Sequence, residues 1–185
     1  MEQLNLNNWF EKAIPAQDYI DSMKMNKEGL EHIYKTFAPP EEDEAFINKT
    51  QEKQLRAIVL TEDWCGDAML NIPILLKFAE KATIETRMVL RDQNLELMDQ
   101  YLTNGKSRSI PIFIFIDKEG NEVAKWGPRA AEVQQFVDES RSSLPPQDAD
   151  EYKEKAEAMY ASFQETYQSN QDFWNYVYQS IKAVL

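Results

Sequence analysis

The spacing of hydrophobic residues divides this chain into three parts. Up to residue 54, apolar residues recur at helical spacing, and Pro39-Pro40 separates two predicted helices. From 55 to 143, short apolar runs alternate with helical patterns, which predicts strands and helices in turn. The segment 144–185 opens with the linker Leu144-Pro145-Pro146, after which aromatic and aliphatic residues return to helical spacing. We therefore predict a core domain between two helical extensions.

The middle part predicts the order strand, helix, strand, helix, strand, strand, helix. Its first two strands are Ala57–Leu60 and Thr83–Leu90, and a helix kinked at Pro73 lies between them. The run IFIFID follows Pro111, and a turn at Lys118–Asn121 joins it to EVAKW as a hairpin. A helix between two strands requires a parallel crossover, whereas a hairpin is antiparallel. The predicted fold class is therefore α/β, with a central mixed sheet flanked by helices and with helical N- and C-terminal extensions.

The composition of the chain limits the kinds of partner and the cellular compartment that we expect for it. The chain has 32 Asp and Glu residues against 20 Lys and Arg residues, for a formal net charge of -12. Such a surface repels phosphate groups and anionic lipids, so we expect no nucleic acid and no membrane surface as a partner. No signal-peptide pattern is visible, and the longest apolar stretch, 110–116, is too short to span a bilayer. With one cysteine and no internal disulfide, the sequence favours a soluble, cytoplasmic protein.

The single cysteine, the most reactive side chain of the sequence, lies in a segment with a recognisable pattern. TEDWCGDAMLNIPILL resembles the active-site strand, loop and helix of thioredoxins, in which WCGPC is followed by a helix-kinking proline. Trp64, Cys65, Gly66 and Pro73 occupy the matching positions. This resemblance implies that Cys65 is the catalytic residue and lies at the N-terminus of a helix.

A second segment strengthens the resemblance. RSIPIFIFIDKEGNEVAKWG is similar to the second landmark of thioredoxins, an isoleucine and cis-proline that enter a strand, followed by a hairpin and a glycine. The matching residues are Ile110, Pro111 and Gly127. Together the two landmarks cover roughly residues 55–142 and imply a thioredoxin-like fold.

The chain departs from the thioredoxin pattern at two places. Ala68 stands where the pattern has its resolving cysteine, and Asp67 replaces the usual proline. Val59 stands six residues before Cys65, where thioredoxins have a buried acid that moves a proton during resolution. With no second thiol, that acid has no role, so we expect no ordinary dithiol chemistry.

The charges near Cys65 set the expected reactivity of its thiol. The positive end of a helix lowers the pKa of a thiol, whereas the carboxylates of Asp63 and Asp67 would raise it. Arg91 follows the end of a strand and Arg108 precedes the proline, so either could offset those carboxylates, but the sequence does not place them. The sequence therefore predicts at most a modest depression of the Cys65 pKa.

The resemblance also implies a binding surface around the cysteine, in which the backbone of the residue before the cis-proline pairs with an extended peptide. The substrate-binding residues that it implies are Trp64, Gly66, Asp67, Ala68, Ile110 and Pro111. For Asp67 we favour the role of a first-turn acid over that of a proton shuttle. We expect no metal, because one cysteine and the single histidine, His32, cannot form a closed site.

Three functions stay open. The leading one is monothiol thiol–disulfide exchange, in which Cys65 attacks a protein or small-molecule disulfide and an external thiol resolves the product. It requires no bound cofactor, only a low-molecular-weight thiol as co-substrate. The second is a redox-inactive module that binds a peptide or protein in the groove around Trp64 and Pro111. The third is a sulfenic-acid-forming redox sensor or peroxidase-like centre, and the motif lacks the arginine and threonine that peroxidatic sites usually have close to the sulfur.

The apolar faces of the C-terminal helices leave two further questions open. We expect these faces to pack on the core domain, with a homodimer interface as the alternative. The sequence does not determine whether the extensions cover the cysteine.

Overall fold

A mixed sheet forms the centre of the computed structural model, which describes residues 5–185. Within these residues the sheet has five strands in the spatial order β1-β3-β2-β4-β5. Strand β2 pairs in parallel with β3, and every other neighbouring pair is antiparallel. The strands are β1 (Ile14–Pro15), β2 (Arg56–Thr61), β3 (Glu85–Leu90), β4 (Ile112–Ile116) and β5 (Glu122–Trp126).

Helices flank the sheet and form both ends of the described chain. Short 3-10 helices also occur at Glu41–Asp43 and Arg91–Gln93. The α-helices of residues 5–185 are α1 (Leu6–Lys12), α2 (Ala16–Ser22), α3 (Lys27–Thr36), α4 (Glu44–Glu52), α5 (Gly66–Lys81), α6 (Leu95–Met98), α7 (Ala131–Ser142), α8 (Tyr152–Ser169) and α9 (Gln171–Val184).

The core domain has the predicted order of elements, from β2 through α5, β3, α6, β4 and β5 to α7. Central strands that are buried on both faces read as continuous apolar runs. Every residue of β4 is buried, and so is every residue of β2 after Arg56. The structure thus confirms the predicted α/β class, with its mixed sheet and helical termini.

The structure differs from the prediction in the N-terminal segment, which contains a strand as well as helices. Strand β1 pairs antiparallel with the edge of β3, with Ile14 opposite Met88. Proline has no backbone N–H and is tolerated at the edge of a sheet, which suits Pro15 to this position. Helix α2 begins directly after this strand, at Ala16.

The C-terminal helices pack on the core domain of the same chain. Helix α9 contacts α5, α7 and β5, and α8 contacts α3 and α5. Val177 and Ile181 on α9 are fully buried, and burying each such side chain contributes about 2 kcal/mol. The predicted packing of the apolar faces is therefore observed, and it brings α8 next to the start of α5.

Candidate functional site

Cys65 lies at the junction between β2 and α5. The chain leaves β2 at Thr61, and Cys65 is the extended N-cap residue of α5. Its side chain is 8% exposed, and its thiol donates a hydrogen bond of 3.5 Å to the carbonyl oxygen of Ile110. The peptide bond between Ile110 and Pro111 is cis. The two segments that resemble thioredoxin landmarks therefore meet at the sulfur atom.

Gly127 packs directly against the Pro111 loop. Its φ angle of 126° is one that residues with a side chain rarely adopt. A Cβ atom at this position would lie 2.2 Å from the carbonyl oxygen of Pro111. The third residue of the second landmark is thus required to be glycine by both conformation and space.

The pKa of the Cys65 thiol is raised, which corrects the prediction of a modest depression. Burial raises this pKa to about 11, and the negative charge of Asp67 acts in the same direction. The backbone N–H groups of Ala68 and Asp67 at the helix terminus favour the thiolate, and so does Arg129, but they do not outweigh burial. The prediction was wrong because it counted the helix terminus and nearby charges but not the loss of solvent.

The two cations that could have offset the carboxylates are engaged elsewhere. The Arg91 guanidinium lies 4.8 Å from the ring centroid of Trp64, and it donates to the carbonyl oxygen of Arg108 at 3.0 Å. Arg108 forms an ion pair with Asp99. The cation that acts on the thiol is Arg129, which the sequence analysis did not select.

Asp67, Arg129 and Tyr167 form a polar cluster beside the thiol. Arg129 donates to both carboxylate oxygens of Asp67, at 2.9 Å and 2.7 Å, and the Tyr167 hydroxyl donates to Oδ1 at 3.0 Å. The Asp67 and Arg129 side chains are only 13% and 15% exposed. The cluster joins α5, the segment before α7, and α8. Asp67 is thus a first-turn acid, as predicted, and also the attachment point for α8.

A pocket of about 440 Å³ opens beside Cys65, between the start of α5 and helix α8. Helix α8 approaches so closely that a Cβ atom on Gly66 would lie 3.0 Å from Nε2 of Gln164. The C-terminal extension therefore forms one wall of the cysteine site. The residues that line the pocket include Trp64, Cys65, Gly66, Asp67, Arg129, Arg141, Tyr160, Phe163 and Tyr167.

Of the six binding residues that the resemblance implied, three line the pocket and three do not. Trp64, Gly66 and Asp67 line the pocket with Cys65, and the Trp64 side chain is 44% exposed. The remaining three are buried and do not line it: Ala68, Ile110 and Pro111. Sequence reasoning missed Arg129 and Tyr167. Their only signals were a charge directly after the Gly127-Pro128 break and an aromatic residue on the apolar face of a predicted helix.

Residues 5–185 contain neither a membrane-spanning helix nor a metal-binding cluster. No helix there is long and apolar enough to cross a membrane. Nor do these residues contain a group of three or more His, Cys, Asp or Glu side chains that could hold a metal ion.

The sheet order, the cysteine at the start of α5 and the proline loop against it define a thioredoxin-like fold. A thioredoxin family model matches residues 13–142, and this protein therefore belongs to that family. The match begins at β1, well before the segment in which the sequence analysis found the landmarks.

Solved structures show the same fold along nearly the whole chain. The crystal structure of a Pseudomonas aeruginosa protein of unknown function is similar with a TM-score of 0.61 at 13% identity, covering 95% of this chain and 98% of that one. An HIV epitope-scaffold is similar with a TM-score of 0.55 at 12% identity, covering 94% and 98%. The comparison with curated proteins gave no significant match. These likenesses extend to the terminal helices and concern the fold alone.

Proposed function

We propose that this thioredoxin-family protein is a redox-silent binding module, which holds its ligand in the pocket between α5 and α8. In this function Cys65 is a neutral thiol in the pocket wall and does not attack disulfides. The observation that carries the proposal is the burial of Cys65, which raises its pKa to about 11.

The raised pKa makes the thiol a slow nucleophile at neutral pH. Only the thiolate attacks a disulfide. A pKa of about 11 leaves roughly one thiolate in 10⁴ at pH 7, against roughly one in 30 for free cysteine. A more basic thiolate is intrinsically more reactive, but this recovers only about tenfold. Exchange at Cys65 would therefore be roughly 30-fold slower than at free cysteine, before any steric obstruction by α8.

The pocket has the size and composition of a ligand site. Its volume of about 440 Å³ lies within the range of small-molecule pockets, which combine apolar walls with a few polar groups. Trp64 and Tyr160 both line it and are 44% and 53% exposed. Exposed aromatic side chains at one opening supply a large contact area at little entropic cost. Ligand binding at this place therefore needs no rearrangement of the core.

Monothiol exchange is the second candidate, and one observation favours it. The backbone N–H groups of Asp67 and Ala68 act on the sulfur in the direction that stabilises a thiolate. Since the thiol also lines the pocket, a small disulfide seated there would lie next to it. In that function a low-molecular-weight thiol would resolve the mixed disulfide, because Ala68 leaves no internal thiol to do so.

Reaction with a small disulfide separates the two candidates. The native protein and the same chain unfolded in urea are treated with 2-hydroxyethyl disulfide at pH 7.5, and the adduct at Cys65 is followed by mass spectrometry. N-acetylcysteine, measured in both buffers, corrects for the effect of urea, and Cys65→Ser is the blank. The binding module predicts that the native chain reacts at least tenfold more slowly than the unfolded chain. Faster reaction of the native chain would instead establish monothiol exchange.

A further inference from the structure

The charges around the Cys65 pocket do not cancel. Three charged side chains line it: Asp67, Arg129 and Arg141. Asp67 and Arg129 neutralise each other through their two hydrogen bonds. Arg141 has no ion-pair partner within the described residues. The pocket therefore has a net charge of about +1 in a protein whose formal net charge is -12.

The apolar part of the wall is aromatic. The Phe163 ring is stacked with that of Tyr167 at 6.1 Å and meets Tyr160 edge-on at 6.0 Å. Trp64 lines the same pocket. Aromatic side chains favour offset-stacked or edge-to-face contact with another ring, so this wall suits a ligand that contains one.

We infer that the ligand of this pocket is a small aromatic monocarboxylate, whose ring contacts Trp64, Tyr160 and Phe163 and whose carboxylate binds Arg141. A guanidinium recognises a carboxylate by two parallel hydrogen bonds, which a neutral amide cannot reproduce. Because Arg141 is the one lining cation without an ion-pair partner in residues 5–185, a second carboxylate on the ligand would lack a cation to bind, which selects against dicarboxylates. This inference rests on the proposed function, since it names the class of ligand for the same pocket.

A matched pair of probes tests the charge requirement. 3-Phenylpropionate and 3-phenylpropionamide have the same ring and chain length and differ in charge. Binding is followed by the indole N–H signal of Trp64 in ¹H–¹⁵N NMR spectra of the wild-type protein, with Trp64→Phe used to assign that signal among the four tryptophans. We expect the acid to bind about fivefold more tightly than the amide, the ratio of an exposed ion pair.

Substitutions of Arg141 test whether this residue binds the carboxylate of the ligand. Arg141 is exposed on the last turn of α7, so Arg141→Gln and Arg141→Lys retain the fold. The preference for the acid should vanish in R141Q, remain in part in R141K, and be unchanged in R108Q, whose arginine is paired with Asp99.

Any of three other outcomes would overturn the inference. Equal binding of both probes to the wild-type protein would remove the charge requirement and leave the binding module intact. Preference for the acid in R141Q would assign recognition to another residue, and no shift with either probe would exclude aromatic monocarboxylates. Failure of the proposed function is read separately, from rapid mixed-disulfide formation at Cys65 in the absence of any ligand.

Discussion

The Tyr167 hydroxyl donates a hydrogen bond of 3.0 Å to Oδ1 of Asp67, two residues beyond the cysteine, and so attaches α8 to the start of α5. Two further contacts hold this part of α8 in place. Asp67 is fixed by Arg129, and the Trp174 indole donates to the carbonyl oxygen of Tyr167 at 2.7 Å. One wall of the pocket beside Cys65 is therefore supplied by a helix that begins 87 residues after the cysteine, at Tyr152.

Removal of the Tyr167 hydroxyl should expose the thiol. In Tyr167→Phe the bond to Asp67 is lost, so α8 should open more often and alkylation of Cys65 by iodoacetamide at pH 8 should become several-fold faster. A hydrogen bond to a charged group contributes about 1.5–3 kcal/mol, and the free energy of unfolding should fall by a similar amount. The control is Tyr160→Phe on the same helix, whose side chain is 53% exposed. Equal alkylation rates in wild type and Y167F would show that this bond does not hold α8 closed.

Neutralising Asp67 should lower the pKa of the Cys65 thiol. Its carboxylate raises that pKa, and its removal also leaves the charge of Arg129 uncompensated near the sulfur. Asp67→Asn should therefore shift the pH profile of alkylation to lower pH.

The same substitution leaves a partly buried arginine unpaired, so the free energy of unfolding should fall by about 2–4 kcal/mol in urea titrations. The matched control is Asp99→Asn, which breaks the exposed pair with Arg108. It should leave the pH profile of alkylation and the free energy of unfolding nearly unchanged. An unchanged pH profile in D67N would mean that the charge of Asp67 does not reach the thiol.

Substitution of Gly127 by alanine should lower the free energy of unfolding far more than substitution of Gly105 by alanine. Gly127→Ala would place a Cβ atom 2.2 Å from the Pro111 carbonyl oxygen at a positive φ, which predicts a loss of at least about 3 kcal/mol. Gly105 also has a positive φ but has nothing within 4 Å of such an atom, so Gly105→Ala should cost about 1 kcal/mol. Urea denaturation midpoints measure both. Similar costs would argue against tight packing of Gly127 on the proline loop.

Alkaline pH should destabilise the wild-type protein more than Cys65→Ala. The folded thiol has a pKa of about 11 against an unfolded value near 9.0, so the folded state holds the proton more tightly. The corresponding stability is fully present below pH 9 and is lost as the pH rises through 11.

Between pH 8 and pH 11 the wild type should lose about 2 kcal/mol more than C65A. Tyr19, whose pKa burial raises to about 12, titrates in both proteins and largely cancels in the difference. Urea unfolding at a series of pH values gives this difference directly, and parallel curves would mean that the thiol pKa is not raised.

The sequence was sufficient to predict the core of the fold because its signals are local. Strands β2 and β4 are short apolar runs between polar residues, and Cys65, Pro73 and Pro111 follow a spacing that a known family shares. Strand β1 was not predictable in this way. It has only two residues, and Pro15 is equally suited to the start of a helix.

The candidate site was less predictable because contacts distant in sequence determine its chemistry. The partners of Asp67 lie 62 and 100 residues further along the chain, at Arg129 and Tyr167. A local reading named Arg91 and Arg108 as candidates for the compensating charge, which the fold directs to Trp64 and Asp99. The pocket beside the thiol likewise depends on where α8 packs, which periodicity alone does not specify.

The pH dependence of Cys65 alkylation by iodoacetamide in the wild-type protein tests the central claim most directly. Cys65→Ser is the blank, and free cysteine, with a pKa of about 8.5, is the reference. A neutral thiol in a covered pocket predicts slow labelling at pH 7 and an apparent pKa well above 8.5. Fast labelling with an apparent pKa below 8.5 would contradict the binding module and leave Cys65 as an activated nucleophile.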